Sequence, residues 1–179
     1  MPSPLAHIGV ALALGVAFGG PIGGNTGSRS AILWRAGVLA FAGVAPDLDL
    51  VPVLWDPEGL RWHHGPSHSL CGALLIGLFC SIFSKDRLAV VLACLAHVPM
   101  DWSTGTPGAA ARYGVPLFWP YSETKYIDSA AWFGAYGIDG AAGLSAMFSA
   151  STLHYYLKEA ATVGVVGLMA LGIRRLRLR

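Results

Sequence analysis

Apolar positions along this chain run in long blocks rather than alternating with polar ones, which predicts helices and not strands. The blocks cover Leu5–Gly20, Ala31–Pro46, Ser69–Phe83, Leu88–Asp101 and Ala160–Ile173, the last stopping at Arg174, Arg175, Arg177 and Arg179. A bilayer crossing takes about 20 predominantly apolar residues, with shorter helices tolerated where the membrane thins or protein holds their polar ends. The expected fold is therefore all-α: a polytopic membrane helix bundle of about five transmembrane helices, forming a single membrane domain over residues 1–179. The opening Met-Pro-Ser-Pro has no basic segment of the kind that starts a secretion signal, so the first block reads as a mature helix. Gly140–Leu157 is apolar enough for a sixth crossing, but its Ser, Thr and His content suits a helix packed on the outer face. Gly19–Gly24 reads as a flexible turn between the first two helices.

Composition agrees with this reading. The chain is 54% apolar and 12% charged, against about 25% charged in an ordinary soluble domain. That excludes a cytosolic enzyme, a disordered chain and a basic-faced nucleic-acid binder. Cys71, Cys80 and Cys94 lie in apolar runs without CxxC spacing and read as small core fillers.

Charge assigns the sides. Arg29, Arg35, Lys85, Arg87 and the four terminal arginines fall on one side with the single acid Asp86. The other side holds Arg61, Arg112, Lys125 and Lys158 with the nine remaining acidic residues. Basic short loops stay cytoplasmic, so the chain is expected in the cytoplasmic (inner) membrane of a prokaryote with its C-terminus inside. The segment at about 102–159, rich in Gly, Pro and aromatic residues, reads as an ordered interfacial stretch on the non-cytoplasmic side.

The ionisable residues near helix ends then coincide. His7 opens the first helix, Asp47 and Asp49 close the second, His63, His64 and His68 precede the third, and His97 and Asp101 close the fourth. All eight lie at the expected non-cytoplasmic end, and ionisable groups in such positions mark function. His97 and Asp101, four apart, share a helix face. Asp47 and Asp49 can face one way only in a turning stretch after Pro46. Gly65-Pro66 forces a turn that lets His63 and His68 swing inward, with Ser67 or Ser69 placed to cap the third helix. His154, Lys158 and Glu159 read as a solvated helix face.

Imidazoles and carboxylates without thiolates suit zinc, manganese or iron(II). His7, Asp47, Asp49, His63, His68, His97 and Asp101 exceed the roughly three protein ligands of one catalytic zinc, so one or two ions are expected. Asp47 or Asp49 is the candidate to orient or deprotonate water.

The pieces Pro4-Leu-Ala-His7, Pro46-Asp-Leu-Asp49, His63-His-Gly-Pro-Ser-His-Ser69, His97-Val-Pro-Met-Asp101 with Thr104, and Tyr113-Gly-Val-Pro-Leu-Phe-Trp-Pro120 occur in order. This pattern resembles the YdjM-like membrane-bound metal-dependent hydrolases, and more distantly the zinc-dependent phospholipase C and single-strand nuclease group. The resemblance implies phosphoester hydrolysis on zinc, with His7, Asp47 or Asp49, His68, His97 and Asp101 as ligands. His64 stands where that family usually has Arg, and a protonated imidazole there would supply the charge that pairs a phosphate. Ser67 replaces a usual Thr, and no HxxxE pair follows, since His154 and Glu159 are five apart.

The function expected is a membrane-embedded metal-dependent hydrolase of a lipid or lipid-linked phosphoester, of phospholipase or lipid phosphatase type. The catalytic candidates are Asp47, Asp49 and His64. The alternative is a non-enzymatic metal-binding or ion-transport membrane protein.

Overall fold

The structure, a computed structural model, describes residues 2–20, 28–55, 63–104, 114–128, 132–133 and 150–179. Among these residues it is all-helical, with only the isolated bridges Thr104–Phe133 and Val115–Tyr126 outside the helices. The α-helices are α1 (Pro4–Phe18), α2 (Arg29–Val44), α3 (Leu70–Ser81), α4 (Arg87–Trp102) and α5 (Ala150–Arg177). Two 3-10 segments, Ala45–Leu54 and Pro66–His68, follow α2 and precede α3.

Three helices begin at serine caps that accept an orphan backbone N–H. Ser3 takes Ala6 N at 3.3 Å, Ser28 takes Ala31 N at 3.3 Å and Ser69 takes Gly72 N at 2.9 Å. α2 tightens at its end for a local reason. Pro46 has no N–H to give the Ala42 carbonyl, which accepts the Cys94 thiol of α4 at 3.1 Å instead. The next carbonyl, Gly43 O, takes Nδ1 of His97 at 2.8 Å. The proline thus frees backbone acceptors that tie α2 to α4.

α1 packs against α2, α4 and α5, while α3 packs on α4. Small residues permit close approach. A Cβ at Gly43 would lie 2.8 Å from both Ala11 Cβ and His7 O, and one at Gly77 would lie 3.0 Å from Val91 Cα. Ala11, Ala42, Ala89, Val90, Ala93 and Cys94 form the core between these helices. Buried Cys80 and Cys94 serve there as the expected fillers, while Cys71 is only partly buried.

The helix positions match the apolar blocks, but the span count does not. Among the described residues, two helical stretches, Arg29–Pro52 and Leu153–Arg177, are long and apolar enough to cross a membrane, rather than about five. α1, α3 and α4 have 15, 12 and 16 residues. At 1.5 Å per residue they rise about 18 to 24 Å, short of an ~30 Å hydrocarbon core. The last helix also starts earlier than its apolar run. It absorbs residues 150–157 of the segment expected to pack separately. Residues 140–149, 21–24 of the expected Gly19–Gly24 turn, Arg61, Arg112 and Tyr113 lie outside the described residues.

The bundle has two unlike ends. At one, Arg35 pairs with Asp86 at 2.6 Å, and Arg174 and Arg177 donate to Val16 O and Ala17 O at the C-terminus of α1 at 3.4 and 2.8 Å. At the other, Glu159 of α5 accepts Ser3 N at 2.7 Å and Ser3 Oγ at 2.5 Å. Glu159 is buried, not part of a solvated face as its sequence neighbours suggested; His154 beside it is exposed.

Gly43→Val forces α1 and its His7 backbone away from α2. We expect a loss of about 1–3 kcal/mol, read as a lower melting temperature of the detergent-solubilised protein.

Candidate metal centre

The end opposite the arginines collects the imidazoles and carboxylates. His7 sits on the first turn of α1, Asp47 and Asp49 on the 3-10 continuation of α2, and His97 and Asp101 on the last turns of α4. His68 is carried by the 3-10 turn Pro66–His68, and Ser69 closes that turn by donating to Pro66 O at 2.7 Å. A Cβ at Gly72 would meet Pro66 O at 2.0 Å, so only glycine lets α3 press against the turn. His64 has φ 56°, a left-handed conformation uncommon for a residue with a side chain, and strain of this sort gathers at functional sites.

Four ligand atoms converge. Nε2 of His97 lies 2.9 Å from Asp101 Oδ2 and 3.4 Å from Asp47 Oδ1. Nε2 of His68 lies 3.2 Å from Asp101 Oδ2 and 3.3 Å from Asp47 Oδ1. The two Nε2 atoms are 3.3 Å apart. Such separations are those of ligands roughly 2.0–2.1 Å from one shared centre.

Hydrogen bonding explains these approaches poorly. Gly43 O can only accept, so Nδ1 of His97 carries a proton, and in the neutral ring Nε2 presents a lone pair to the Asp101 oxygen. In His68, Nδ1 faces Ser67 Oγ at 3.0 Å and Asp49 Oδ2 at 3.1 Å. The Ser67 hydroxyl donates to that same Asp49 oxygen at 2.8 Å, which leaves His68 Nδ1 to donate, so that in the neutral ring Nε2 presents its lone pair inward. Both Asp101 oxygens are buried without a hydrogen bond of good geometry, as are both ring nitrogens of His7. Buried polar atoms left in that state are costly. The donor set of Asp47, His68, His97 and Asp101 therefore fits a divalent cation.

Around it stand the remaining candidates. His7 Nε2 lies 3.5 Å from Asp101 Oδ1, with its ring stacked on His97 at 3.9 Å. His64 Nε2 lies 3.9 Å from Asp101 Oδ2. His63 Nδ1 is 2.8 Å from Asp49 Oδ1. Asp49 thus turns its oxygens toward His63, Ser67 and the back of His68, the arrangement in which a carboxylate orients a ligating imidazole. All eight residues singled out in the sequence come together.

Burial pushes the His68 imidazole toward the neutral form. The carboxylates of Asp101, Asp47 and Asp49 outweigh that and hold its pKa well above the ordinary histidine value. The surrounding acids call for positive charge, which a proton supplies once and a divalent ion twice. His64 goes the other way. Burial lowers its pKa to about 3, only partly offset by Asp101, which favours the neutral ring over the protonated one that a phosphate-pairing role would need.

Sequence reasoning missed three supports: the Gly43 carbonyl that fixes His97, the Ser67 hydroxyl that bridges Asp49 and His68, and Glu159, which holds the cap of α1 one turn before His7. Where described, the stretch after α4 is tied to the helix ends. Leu117 O accepts Leu70 N at 3.1 Å and Trp102 O accepts Asp128 N at 2.8 Å, which fastens residues 114–128 beside the pocket.

A family model described as YdjM inner membrane protein matches residues 1–175, and the chain belongs to that family. No curated protein and no solved structure matches the chain.

Asp101→Asn should strip the bound metal from the purified protein, measured by elemental analysis, while Asp86→Asn at the far end leaves it. Asp49→Asn, which alters the shared partner of His63, Ser67 and His68, should weaken metal affinity about 10–100-fold in a competition titration with a chelator.

Proposed function

We propose that this YdjM-family membrane protein is a metal-dependent hydrolase of lipid or lipid-linked phosphoesters. The observation that carries the reading is the convergence of the His68, His97, Asp47 and Asp101 ligand atoms, with lone pairs and carboxylate oxygens facing one another within 3.4 Å at the closest approaches. Zinc is the foremost occupant, with manganese or iron(II) as alternatives. His7 Nε2 and the Asp101 oxygen turned toward it would hold a second ion. A divalent cation bound there supplies Lewis-acid activation of water and of a phosphoryl oxygen.

The chain's own groups do the rest. Asp49 and Ser67 keep the His68 ring aimed inward, and Gly43 O does so for His97. Asp47, the least enclosed carboxylate of the ligand set, is placed to accept a proton from an attacking water. His64, neutral, offers a ring nitrogen or an N–H donor to a phosphate oxygen.

Lipid substrates are favoured by the surroundings. Trp55, Phe118, Tyr121 and Trp132 are exposed in the segments near this end, and Trp102 directly follows Asp101. Exposed aromatic rings of this kind prefer headgroup depth, where a lipid phosphate meets the pocket without leaving the bilayer. The arginine-rich opposite end would lie in the cytoplasm and the pocket on the non-cytoplasmic side.

One observation favours a second reading. Four protein ligands can close the shell of a tetrahedral ion, as in a structural or otherwise non-enzymatic metal site. Purified protein assayed for metal content and for phosphate or headgroup release from defined lipids separates the two. The hydrolase reading expects turnover that chelation abolishes, that added metal restores, and that Asp101→Ala lacks. Stoichiometric metal with no turnover on any lipid phosphoester would establish the second.

A further inference from the structure

Away from the metal centre, α2 and α3 leave an apolar groove of about 410 Å³, walled by Leu33, Trp34 and Phe41 on one side and Phe79 and Phe83 on the other. Its floor is Gly37, where an added Cβ would meet nothing within 4 Å. The volume falls within the ~300–1,000 Å³ of ordinary ligand pockets. Trp34 and Phe83 also line a second cavity of about 590 Å³, toward the basic end, whose walls include Arg35, Ser84, Lys85 and Arg87. The Trp34 indole N–H donates to Phe83 O at 3.1 Å and fixes the ring where the two spaces meet.

Charge in the outer cavity is not balanced. Asp86 is buried and engaged by Arg35 Nε at 2.6 Å and by Gly20 N at 2.8 Å. Among the described residues, no carboxylate pairs with exposed Lys85 or Arg87. The groove is thus an apolar slot that shares the Trp34 and Phe83 wall with a mouth carrying two uncompensated cations, at the end of the bundle where the basic residues gather.

We propose that this groove holds one anionic phospholipid of the leaflet opposite the metal centre, with an acyl chain along Gly37 between α2 and α3 and its phosphate at Lys85 and Arg87. Charge complementarity selects an anionic lipid over a zwitterionic one. The shared wall of slot and mouth selects an intact lipid over a free phosphate, which would leave the slot empty. The lipid fills the space between α2 and α3 and so fastens α3, whose first turn presses on the His68 segment.

Native mass spectrometry of the full chain, released from detergent micelles containing equal phosphatidylglycerol and phosphatidylcholine, tests this. Wild type is expected to retain a single phosphatidylglycerol in preference. Lys85→Gln/Arg87→Gln should weaken that retention about 25-fold, at the usual contribution of one basic residue near an anionic surface. Gly37→Leu, whose side chain has open space to occupy, should abolish it without loss of fold, checked by circular dichroism. Arg175→Gln/Arg179→Gln should leave it intact. Equal retention of both lipids overturns the proposal, as does undiminished phosphatidylglycerol in the charge variant. Retention that survives Gly37→Leu shows a diffuse basic surface and overturns the groove.

Discussion

Asp101 is a carboxylate with no exposed surface, set among the rings of His7, His64, His68 and His97 at the end of an apolar bundle. An isolated charge in such a place is among the most expensive things a fold can bury, so the surrounding structure has to bring it positive charge or metal. Four different chain segments end there to do so. α1 comes close enough because position 43 has no side chain. α2 loses its regular turn at Pro46 and thereby offers carbonyls to α4. The Gly65-Pro66 turn delivers His68 from the side. Seen this way, the small residues and prolines of the sequence are requirements of one buried acid.

The far end of the bundle answers with ordinary helix-terminus electrostatics. Guanidinium groups of α2 and α5 cover the C-terminus of α1, where carbonyls and helix dipole favour cations, and Asp86 ties the α3–α4 turn into the same layer. Acids and imidazoles meet at one face, while the basic residues that would follow an anionic leaflet meet at the other.

Much of the site was legible in the sequence, because its residues lie at ends of apolar blocks and because the i, i+4 pair and the Gly-Pro turn have fixed geometric meaning. Helix positions followed from the same blocks. Membrane-crossing length did not: an apolar run sets where a helix lies but not whether its neighbours let it stop short, as α3 does after 12 residues. The state of His64 was also hidden. Histidine in a motif reads equally as cation or neutral ligand, and only its depth beside Asp101 decides for the neutral form. Glu159 was misjudged because its polar neighbours His154 and Lys158 made the whole turn look wet, while the helical repeat carries residue 159 to the inner side.

The clasp between Glu159 and Ser3 joins groups 156 residues apart in the chain. Ser3 caps the helix that carries His7, and the arginines of α5 grip the other end of that same helix. During synthesis, α1 can pack against α2 and α4 before residue 159 exists, but neither its cap nor its far end is yet held by α5. The placement of His7 is therefore completed from a distance, by a helix that supplies no ligand of its own but clasps α1 at both of its ends.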